Sequence, residues 1–434
     1  MRDLLMDRET NDLDFDFTTN ATPDEIKSII SGWADAVWTP GERFGTISAG
    51  KAGRTYEITT HRAEAYSPDS GKPDVRFSER IEDDLSRRDF TVNAMALEIT
   101  SDAPSLVDPY GGLADLMGKV LRTPLSATES FSDDPLRMMR AARFIAGLQL
   151  TPVEELVAAV RAMADRLTIV SAERIRHELD RLMVTEHPTA GLWFLVDTGL
   201  AEHFFPELPA MRLEQDPIHR HKDVLTHTFA VVENVRPDAA TDFDFRITRL
   251  AALFHDIGKP RTRGYKDGKG VTFHHHEVVG ARMTKARLKA LKYSSQDVDA
   301  ITELVALHLR FHTYAMGWTD SAVRRYVRDA GPLLNELNVL TRCDCTTRNE
   351  KKALLLARRM DDLERRIAEV MAREELAALR PELDGSDVME ILSIPPGRAV
   401  GEAMEFLMEI RLEEGLVGVD VVTERLRTWW AQRA

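Results

Sequence analysis

The chain has 434 residues, of which 43% are hydrophobic and 29% are charged, and its formal net charge is −14. This length allows two to four domains with separate cores, and the composition is typical of a soluble globular protein rather than a disordered or membrane protein. The negative net charge argues against a basic nucleic-acid-binding protein, so any contact with RNA must depend on local basic patches.

The first residues, MRDLLMDRETND, lack the apolar stretch of a signal peptide, and no apolar run is long enough to span a membrane. The two cysteines, Cys343 and Cys345, flank one aspartate and cannot staple a fold of this size. We therefore expect a cytoplasmic protein without a membrane partner.

Strands are predicted only in the first part of the chain. Their candidate positions are Leu13–Phe17, Arg54–Thr60, Asp74–Phe77 and Ala94–Thr100. From Asp134 onwards, apolar residues recur at helical spacing, as in LRMMRAARFIAGL. The pattern predicts an α+β protein in which a small mixed α/β head precedes a long, all-helical neck and body.

The histidines indicate a further domain, because ten of the 13 lie between His203 and His312. Such clustering is typical of a metal site rather than of a plain helical core. We expect a head at 1–125, a helical neck and RNA-binding region at 126–214, a metal-binding domain at 215–350 and a helical tail at 351–434.

An acidic strand, DLDFDF, occupies residues 12–17. Because side chains alternate along a strand, Asp12, Asp14 and Asp16 share one face. Mg²⁺ would relieve their mutual repulsion, and two such ions can activate a 3′-hydroxyl and stabilise departing pyrophosphate. Glu57, on a second strand, is the candidate third carboxylate. The alternative is an exposed strand face that is merely acidic.

Two later segments carry groups suited to a nucleotide. In EDDLSRRDFTVNA, Arg87 and Arg88 can grip phosphate oxygens, and Asn93 can bond a ribose or a base. In FSDDPLRMMRAARF, Asp134 and Arg137 are three residues apart and offer an acceptor and a donor for the edge of a base. In both segments, ordinary surface ion pairs are the alternative.

In order along the chain, the segments DFDFTT, EITTHR, RRDFTVNA, VDPYGGLADL and FSDDPLRMMRAARF resemble the class II tRNA nucleotidyltransferase and poly(A) polymerase family. The resemblance implies a DNA polymerase β-like head in which two aspartates of the acidic strand hold the catalytic metals. It also implies that RRDFT contacts ribose and triphosphate, that Asp108–Leu116 shapes the head–neck junction, and that Asp134 and Arg137 select C and A. Asp133 stands where many members have glutamate.

The resemblance leaves two registers for the metal-binding pair. Counting from Arg2 and Asp3 selects Asp12 and Asp14, whereas counting back from the threonines after the strand selects Asp14 and Asp16; we favour the second pair. The residues that we expect to contact nucleotide are Arg2, Asp3, Arg87, Arg88, Asp89, Asn93, Asp133, Asp134, Arg137, Arg140 and Arg143. Family members carry an apolar strand and a Gly-Gly turn before a V-R-D segment, and the sequence starts at MRDLL, so we expect a head without that turn.

The histidine-rich region contains an ordered set of metal-ligand types. The set is His227, His255, Asp256, His276, His308 and Asp344. Imidazole and carboxylate together suit Mn, Fe, Ni, Zn or Mg. The set, with DIGK after its central HD pair, resembles the HD phosphohydrolase superfamily. This resemblance implies one metal on His227, His255, Asp256 and Asp344, a second site completed by His276 and His308, and hydrolysis of phosphate esters. The alternative is an HD fold kept for packing or RNA docking.

The leading hypothesis is a template-independent enzyme that adds C and A from CTP and ATP to the 3′ end of tRNA, with Mg²⁺ in the head. A poly(A) polymerase is the close alternative. An HD phosphohydrolase, or a non-catalytic RNA-binding protein with an impaired head, remains the alternative from other classes. We expect His219, His221, His274, His275 and His312 to be bystanders.

Overall fold

A computed structural model describes residues 1–7, 15–66, 73–100, 102–213, 223–266, 270–316, 318–347, 349–374 and 380–433. The chain divides into two compact units, Met1–Pro209 and Ala210–Ala434. The first unit mixes strands and helices, and the described part of the second is helical apart from one two-stranded ribbon. The predicted α+β class is therefore confirmed. None of the described helices is long and apolar enough to cross a membrane.

The strands of the first unit form one four-stranded sheet and several two-stranded pairs. Their bounds are β1 (Phe15–Thr19), β2 (Ala36–Trp38), β3 (Thr46–Lys51), β4 (Arg54–Thr60), β5 (Arg62–Tyr66), β6 (Pro73–Phe77), β7 (Ala96–Glu98), β8 (Ser105–Val107), β9 (Val120–Leu121) and β10 (Thr151–Pro152). The sheet order is β1-β4-β3-β2, with β1 parallel to β4 and the other pairs antiparallel. The strand predicted at Arg54–Thr60 has those bounds.

The helices of the first unit lie before, between and after these strands. They are α1 (Arg2–Leu5), α2 (Pro23–Ile30), α3 (Ile81–Ser86), α4 (Gly112–Met117), α5 (Ala127–Asp133), α6 (Leu136–Leu148), α7 (Glu154–Met163), α8 (Ala172–Met183) and α9 (Thr189–Asp197), and α10 (Glu207–Ala210) ends at the junction of the units. A capping box between Thr22 and Glu25 starts α2. Ile26 and Ile30 of α2 then pack on Ile47 and Ala49 of β3, which covers one face of the sheet.

Helices of the first unit within the predicted neck form a packed group. Helix α6 packs against α8 and α9, and its Met138 and Met139 side chains are buried. Gly191 of α9 allows a close approach, because a Cβ there would clash with the carbonyl oxygen of Ala142. The apolar periodicity of this region therefore produces the helical packing that the sequence predicts.

The second unit comprises helices and a short ribbon. The helices are α11 (Val224–Asn234), α12 (Phe245–Phe254), α13 (Lys259–Thr262), α14 (His276–Ala290), α15 (Ser295–Leu307), α16 (Asp320–Ala330), α17 (Leu334–Asp344), α18 (Glu350–Glu374), α19 (Gly385–Leu392), α20 (Arg398–Glu414) and α21 (Val419–Ala431). The ribbon pairs β11 (Arg263–Lys266) with β12 (Gly270–Phe273) antiparallel. The last three helices enclose a small core of their own around Val388, Leu407 and Leu426.

Candidate functional site

The acidic face of the head sheet lies opposite the face that α2 covers. Asp16 of β1 pairs directly with Glu57 of β4, and Glu57 pairs with Ser48 of β3. Paired residues share a face, and both carboxylates are exposed. Asp12 and Asp14 lie outside the described residues. The choice of the Asp14–Asp16 register over Asp12–Asp14 therefore stays a prediction.

The RRDFT segment follows α3 and reaches both the sheet and the neck. The Arg88 guanidinium is 3.4 Å from the Asp84 carboxylate, and its side chain is 41% exposed. Arg87 donates to the Arg62 carbonyl at 3.4 Å, just beyond the end of β4. Its own carbonyl accepts a hydrogen bond from Arg137 at 2.5 Å. The segment is thus held at the end of the acidic sheet, with the Arg88 side chain partly open to solvent.

The predicted nucleotide contacts at the start of the chain lie beside the RRDFT segment. Arg2 pairs with Asp3 at 2.8 Å and donates to the Asn93 side-chain oxygen at 2.5 Å. The Asn93 amide in turn donates to Asp89 at 2.9 Å. The structure therefore brings these four residues together and orients Asn93 from two sides.

Asp89 also joins two further residues expected to bind nucleotide, Arg140 and Arg143, in an internal ion network with Glu178. Asp89 accepts two hydrogen bonds from Arg140, at 2.5 and 2.8 Å. Glu178, which is 3% exposed, accepts from Arg143 at 2.6 Å and from Arg140 at 3.3 Å. Burial alone would raise the pKa of Asp89, but the Arg140 charge and the hydrogen bonds hold that pKa below its ordinary value. These contacts give Asp89, Arg140 and Arg143 a structural role; their nucleotide contacts stay predictions.

The acidic pair before α6 is split between two environments. Asp133 ends α5, and Asp134 forms an ion pair with Arg174 at 2.8 Å. Arg137 is only 8% exposed and donates to the Ser130 hydroxyl at 2.8 Å. The Arg137 backbone N–H donates to the Asp134 carbonyl at 3.0 Å, whereas the half-buried Asp134 carboxylate pairs with Arg174 instead of the Arg137 guanidinium. Recognition of a base by Asp134 and Arg137 stays a prediction.

The D-P-x-x-G-G segment packs against the RRDFT segment. The Asp108 carboxylate caps α4 by accepting the backbone N–H groups of the helix start, at 2.6 and 2.9 Å. Asp115 of the same helix accepts the Thr91 hydroxyl at 2.7 Å. A Cβ at Gly112 would clash with the Thr91 carbonyl. Glycine at this position therefore lets α4 pack directly on the RRDFT segment.

The six predicted ligands of the second unit converge at the ends of different helices. His227 lies in α11, His255 and Asp256 follow α12, His276 begins α14, His308 follows α15, and Asp344 ends α17. They form two groups that are each compact enough for one metal ion, namely His227 with His255 and Asp344, and Asp256 with His276 and His308.

Asp256 stands between the two groups. Its Oδ2 is 3.2 Å from His255 Nε2 and 3.5 Å from His227 Nε2, and its Oδ1 is 3.3 Å from His276 Nε2. His227 Nε2 is also 2.9 Å from an Asp344 oxygen. This arrangement suits a carboxylate that bridges two divalent ions.

The histidines are oriented by their second ring nitrogens. The Nδ1 partners are Thr346 for His227, and the carbonyls of Ala252, Phe273 and Val305 for His255, His276 and His308, all at 2.7–2.8 Å. A carbonyl can only accept, so Nδ1 carries the proton and Nε2 is left as a ligand. The Nε2 atoms of His276 and His308 are buried and make no hydrogen bond with a described residue, although Asp256 Oδ1 lies 3.3 Å from the first. Such orphaned nitrogens fit a metal ion.

The charges around the six predicted ligands, which form one candidate metal centre, favour metal binding. Burial lowers the pKa of His308 to about 3, so this imidazole is neutral at physiological pH. Burial alone would raise the pKa values of Asp256 and Asp344, but the neighbouring histidines hold both well below the ordinary range. Burial lowers the pKa of His255, and the adjacent Asp256 more than offsets this effect, so that pKa is raised. A divalent ion would take the place of the His255 proton.

The centre opens into a cavity of about 1100 Å³. Lys259 lines this cavity and contacts Asp256 at 2.6 Å. Gly258 brings the two halves of the centre together, because a Cβ there would lie 2.7 Å from the Gly280 nitrogen and clash with the His276 carbonyl. The short sequence D-I-G-K therefore supplies the candidate ligand Asp256, the close backbone approach at Gly258 and the cation of Lys259.

The expected bystanders lie outside the two groups. His274 and His275 are exposed, and the His312 imidazole is 59% exposed and 3.8 Å from Asp344. His219 and His221 lie outside the described residues. Sequence reasoning missed Glu178 and Thr346, whose partners are distant in sequence; no local pattern marks either residue.

Family models match three parts of the chain. These are the poly A polymerase head domain at residues 1–122, a probable RNA-binding site of polymerase A at 149–211, and the HD domain at 224–349.

Similar proteins carry related names. The A-adding tRNA nucleotidyltransferase of Deinococcus radiodurans is 35% identical over 81% of this chain and 80% of its own length. The CCA-adding enzyme of Lactobacillus helveticus is 36% identical over 46% of this chain and 49% of its own length, so the chain spans about half of that relative.

Solved structures share the fold. The CCA-adding enzyme of Bacillus stearothermophilus in complex with CTP has a TM-score of 0.70 at 22% identity, covering 100% of this chain and 92% of that one. The Thermotoga maritima enzyme complexed with tRNA has a TM-score of 0.60 at 18% identity, covering 99% and 89%. Together with the long Deinococcus alignment, these findings mean that the chain belongs to the class II tRNA nucleotidyltransferase and poly(A) polymerase family, a family of nucleotidyltransferases with a divalent-metal-dependent head, and that its second unit carries an HD domain.

Proposed function

We propose that this chain adds C and A from CTP and ATP to the 3′ end of tRNA without a nucleic-acid template. The observation that carries the proposal is the pairing of Asp16 with Glu57 on the exposed sheet face. The names of the relatives, CCA-adding and A-adding enzymes, support the choice of tRNA as acceptor. The proposal includes a head at 1–125, a neck at 126–214 and a cytoplasmic site of action.

The acidic face is suited to hold Mg²⁺, with Asp16, Glu57 and Asp14 as the candidate carboxylates. Mg²⁺ bound there would polarise the attacking hydroxyl and neutralise charge on the triphosphate. The Arg88 side chain is partly open to solvent beside Asp84 and can bind phosphate oxygens. Asp134 can accept a hydrogen bond from an exocyclic amine of C or A once it leaves Arg174.

Two other specificities remain candidates for the same head. The relative aligned over 81% of this chain is named an A-adding enzyme, which favours a chain that completes only the terminal A. The first family model describes poly A polymerases, which favours long A tracts. All three reactions use the same carboxylates and differ only in the base and in the number of additions.

Three tRNA transcripts distinguish these specificities. One ends before C74, one after C74 and one after C75, in the usual tRNA numbering, and each is incubated with labelled CTP or ATP. CCA addition predicts C on the first two transcripts and a single A on the third. A single A on the third with no C on the others would assign A addition, and long A tracts would assign poly(A) synthesis. No incorporation on any transcript would overturn the proposal and favour a non-catalytic RNA-binding protein.

We further infer that the HD domain hydrolyses phosphate esters with two divalent ions. These residues fit metal ions because the buried Nε2 atoms of His276 and His308 make no hydrogen bond with a described residue. His227, His255 and Asp344 would hold one ion, His276 and His308 the other, and Asp256 would bridge them; the ions would activate water and polarise the ester. The ligand types suit Mn, Fe, Ni, Zn or Mg.

Metal analysis and a hydrolysis assay test this inference together. Two equivalents of a divalent metal, and phosphate release that disappears in a His255→Ala, Asp256→Ala variant, are the expected results. Bound metal without phosphate release from any ester would leave a structural HD domain. Nucleotide addition should survive in that variant, because the catalytic carboxylates lie in the other unit.

A further inference from the structure

The six predicted metal ligands of the second unit are called the HD centre below. The β11–β12 ribbon forms one wall of the cavity into which this centre opens. In its antiparallel register Arg263 pairs with Phe273, and Tyr265 pairs with Val271. Because paired residues and alternate residues share a face, these four side chains lie on one side of the ribbon. Arg263, Val271 and Phe273 line the cavity, so this side faces it.

The end of the ribbon at Phe273 is fixed next to the metal ligands. The Phe273 carbonyl accepts His276 Nδ1 at 2.8 Å, and the Lys259 amine lies 5.8 Å from the Phe273 ring centre. Tyr265 is two residues further out, about 7 Å along the strand. Arg263 therefore lies nearer the metal ligands along the ribbon, and Tyr265 lies nearer its outer end.

The two exposed side chains of this face suit different parts of one ligand. Tyr265 is 68% exposed, and an aromatic ring held open to solvent on a strand is a platform for stacking a base. Arg263 is also exposed and lines the cavity, so its guanidinium can reach a phosphate group there. The cavity, about 1100 Å³, has room for a nucleotide.

We propose that the ribbon selects nucleotides, or the 3′ end of an RNA, as substrates of the HD centre, with Tyr265 stacking on the base and Arg263 holding the phosphate. This proposal rests on the phosphohydrolase activity inferred above, and it names the substrate class of that centre. Small phosphate esters without a base then reach the metals but gain nothing from Tyr265.

Photo-crosslinking locates the base without requiring turnover. The full-length, metal-loaded protein is irradiated with 8-azidoadenosine 3′-monophosphate, and the labelled peptides are identified by mass spectrometry. The expected adduct lies on Tyr265, and its yield falls in Arg263→Ala. Labelling confined to peptides of the first unit would overturn the platform, whether or not the HD centre hydrolyses esters.

Substrate preference gives the second readout, namely kcat/KM for adenosine 3′-monophosphate divided by kcat/KM for glycerol 2-phosphate. Loss of one stacking contact predicts that Tyr265→Ala lowers this ratio about tenfold, while Tyr265→Phe keeps the ratio because the ring remains. Lys266→Ala is the matched control, since Lys266 lies on the opposite side of the same strand. An equal loss for both esters, or an unchanged ratio in Tyr265→Ala, would refute the platform. Absence of hydrolysis of both esters, with the adduct still on Tyr265, would refute only the phosphohydrolase.

Discussion

Removal of the Glu178 carboxylate tests whether the buried ion network holds the neck to the RRDFT segment. Glu178 is 3% exposed and pairs with Arg143 at 2.6 Å and Arg140 at 3.3 Å. Glu178→Ala leaves Arg140 with Asp89 as a partner but removes the acceptor of Arg143. Arg143 is only 9% exposed, so the change leaves a charge buried beside an empty acceptor position.

The size of the effect follows from this burial. Breaking a buried pair by removing one partner costs roughly 3–5 kcal/mol, and we expect the Glu178→Ala loss in this range. Glu178→Gln keeps an acceptor for Arg143 Nε but loses the charge, so its cost should be about 1.5–3 kcal/mol. For a unit of this size each kcal/mol corresponds to roughly 2–4 °C in Tm.

Amide hydrogen exchange measures the stability of the first unit separately from that of the second. Amides in α6 and α8 should exchange on the order of a hundredfold faster in Glu178→Ala, which corresponds to about 3 kcal/mol. Glu173→Ala is the matched control, because Glu173 is exposed on the same helix and its loss should cost under about 0.5 kcal/mol. Equal exchange in the two variants would refute the structural role of the network.

Three further changes have defined outcomes. Gly258→Ala should lower the metal content by displacing His276, whereas Gly264→Ala should not; equal metal content by elemental analysis would contradict the close approach. Because the pKa of Asp89 is lowered in the folded protein, its ionised carboxylate stabilises the fold at pH values above the unfolded-state pKa. This stabilisation is lost as the pH falls through the folded-state pKa. Asp89→Asn should therefore flatten the loss of stability below about pH 4 in acid titrations of Tm. A slope equal to that of the unsubstituted protein would contradict this sign. Burial raises the pKa of Cys343 to about 12, so mass spectrometry should show its alkylation at pH 8 to be on the order of a thousandfold slower in the folded than in the unfolded protein, and similar rates would argue against that burial.

Sequence patterns predicted the parts of the structure whose signals are local. Strand alternation put Asp16 and Glu57 on one face, and β4 has the predicted bounds. The order of histidines and aspartates predicted six side chains that the structure brings together in two compact groups, and their role as metal ligands stays a prediction. Each of these groups lies at an element end or on an alternating face, where spacing alone determines direction.

The patterns could not predict contacts between distant segments. Arg140 and Arg143 look like RNA-binding cations in a basic stretch, but their partners Asp89 and Glu178 come from other parts of the chain and neutralise them. The short β11–β12 ribbon was missed because RGYK and GVTF carry too few residues for a periodic signal. Pairing across such distances depends on tertiary packing rather than on local spacing.

The most direct test of the account is the rate of Mg²⁺-dependent CMP and AMP incorporation into tRNA lacking its 3′ end, measured for Asp16→Asn and Asp12→Asn. Loss of a metal ligand that contributes about 4 kcal/mol to the transition state predicts a fall in kcat of roughly a thousandfold for Asp16→Asn. Asp12→Asn should stay within a few-fold of the unsubstituted chain, because Asp12 lies outside the favoured pair. A near-normal rate in Asp16→Asn would contradict the assignment of the acidic sheet face as the nucleotidyl-transfer site.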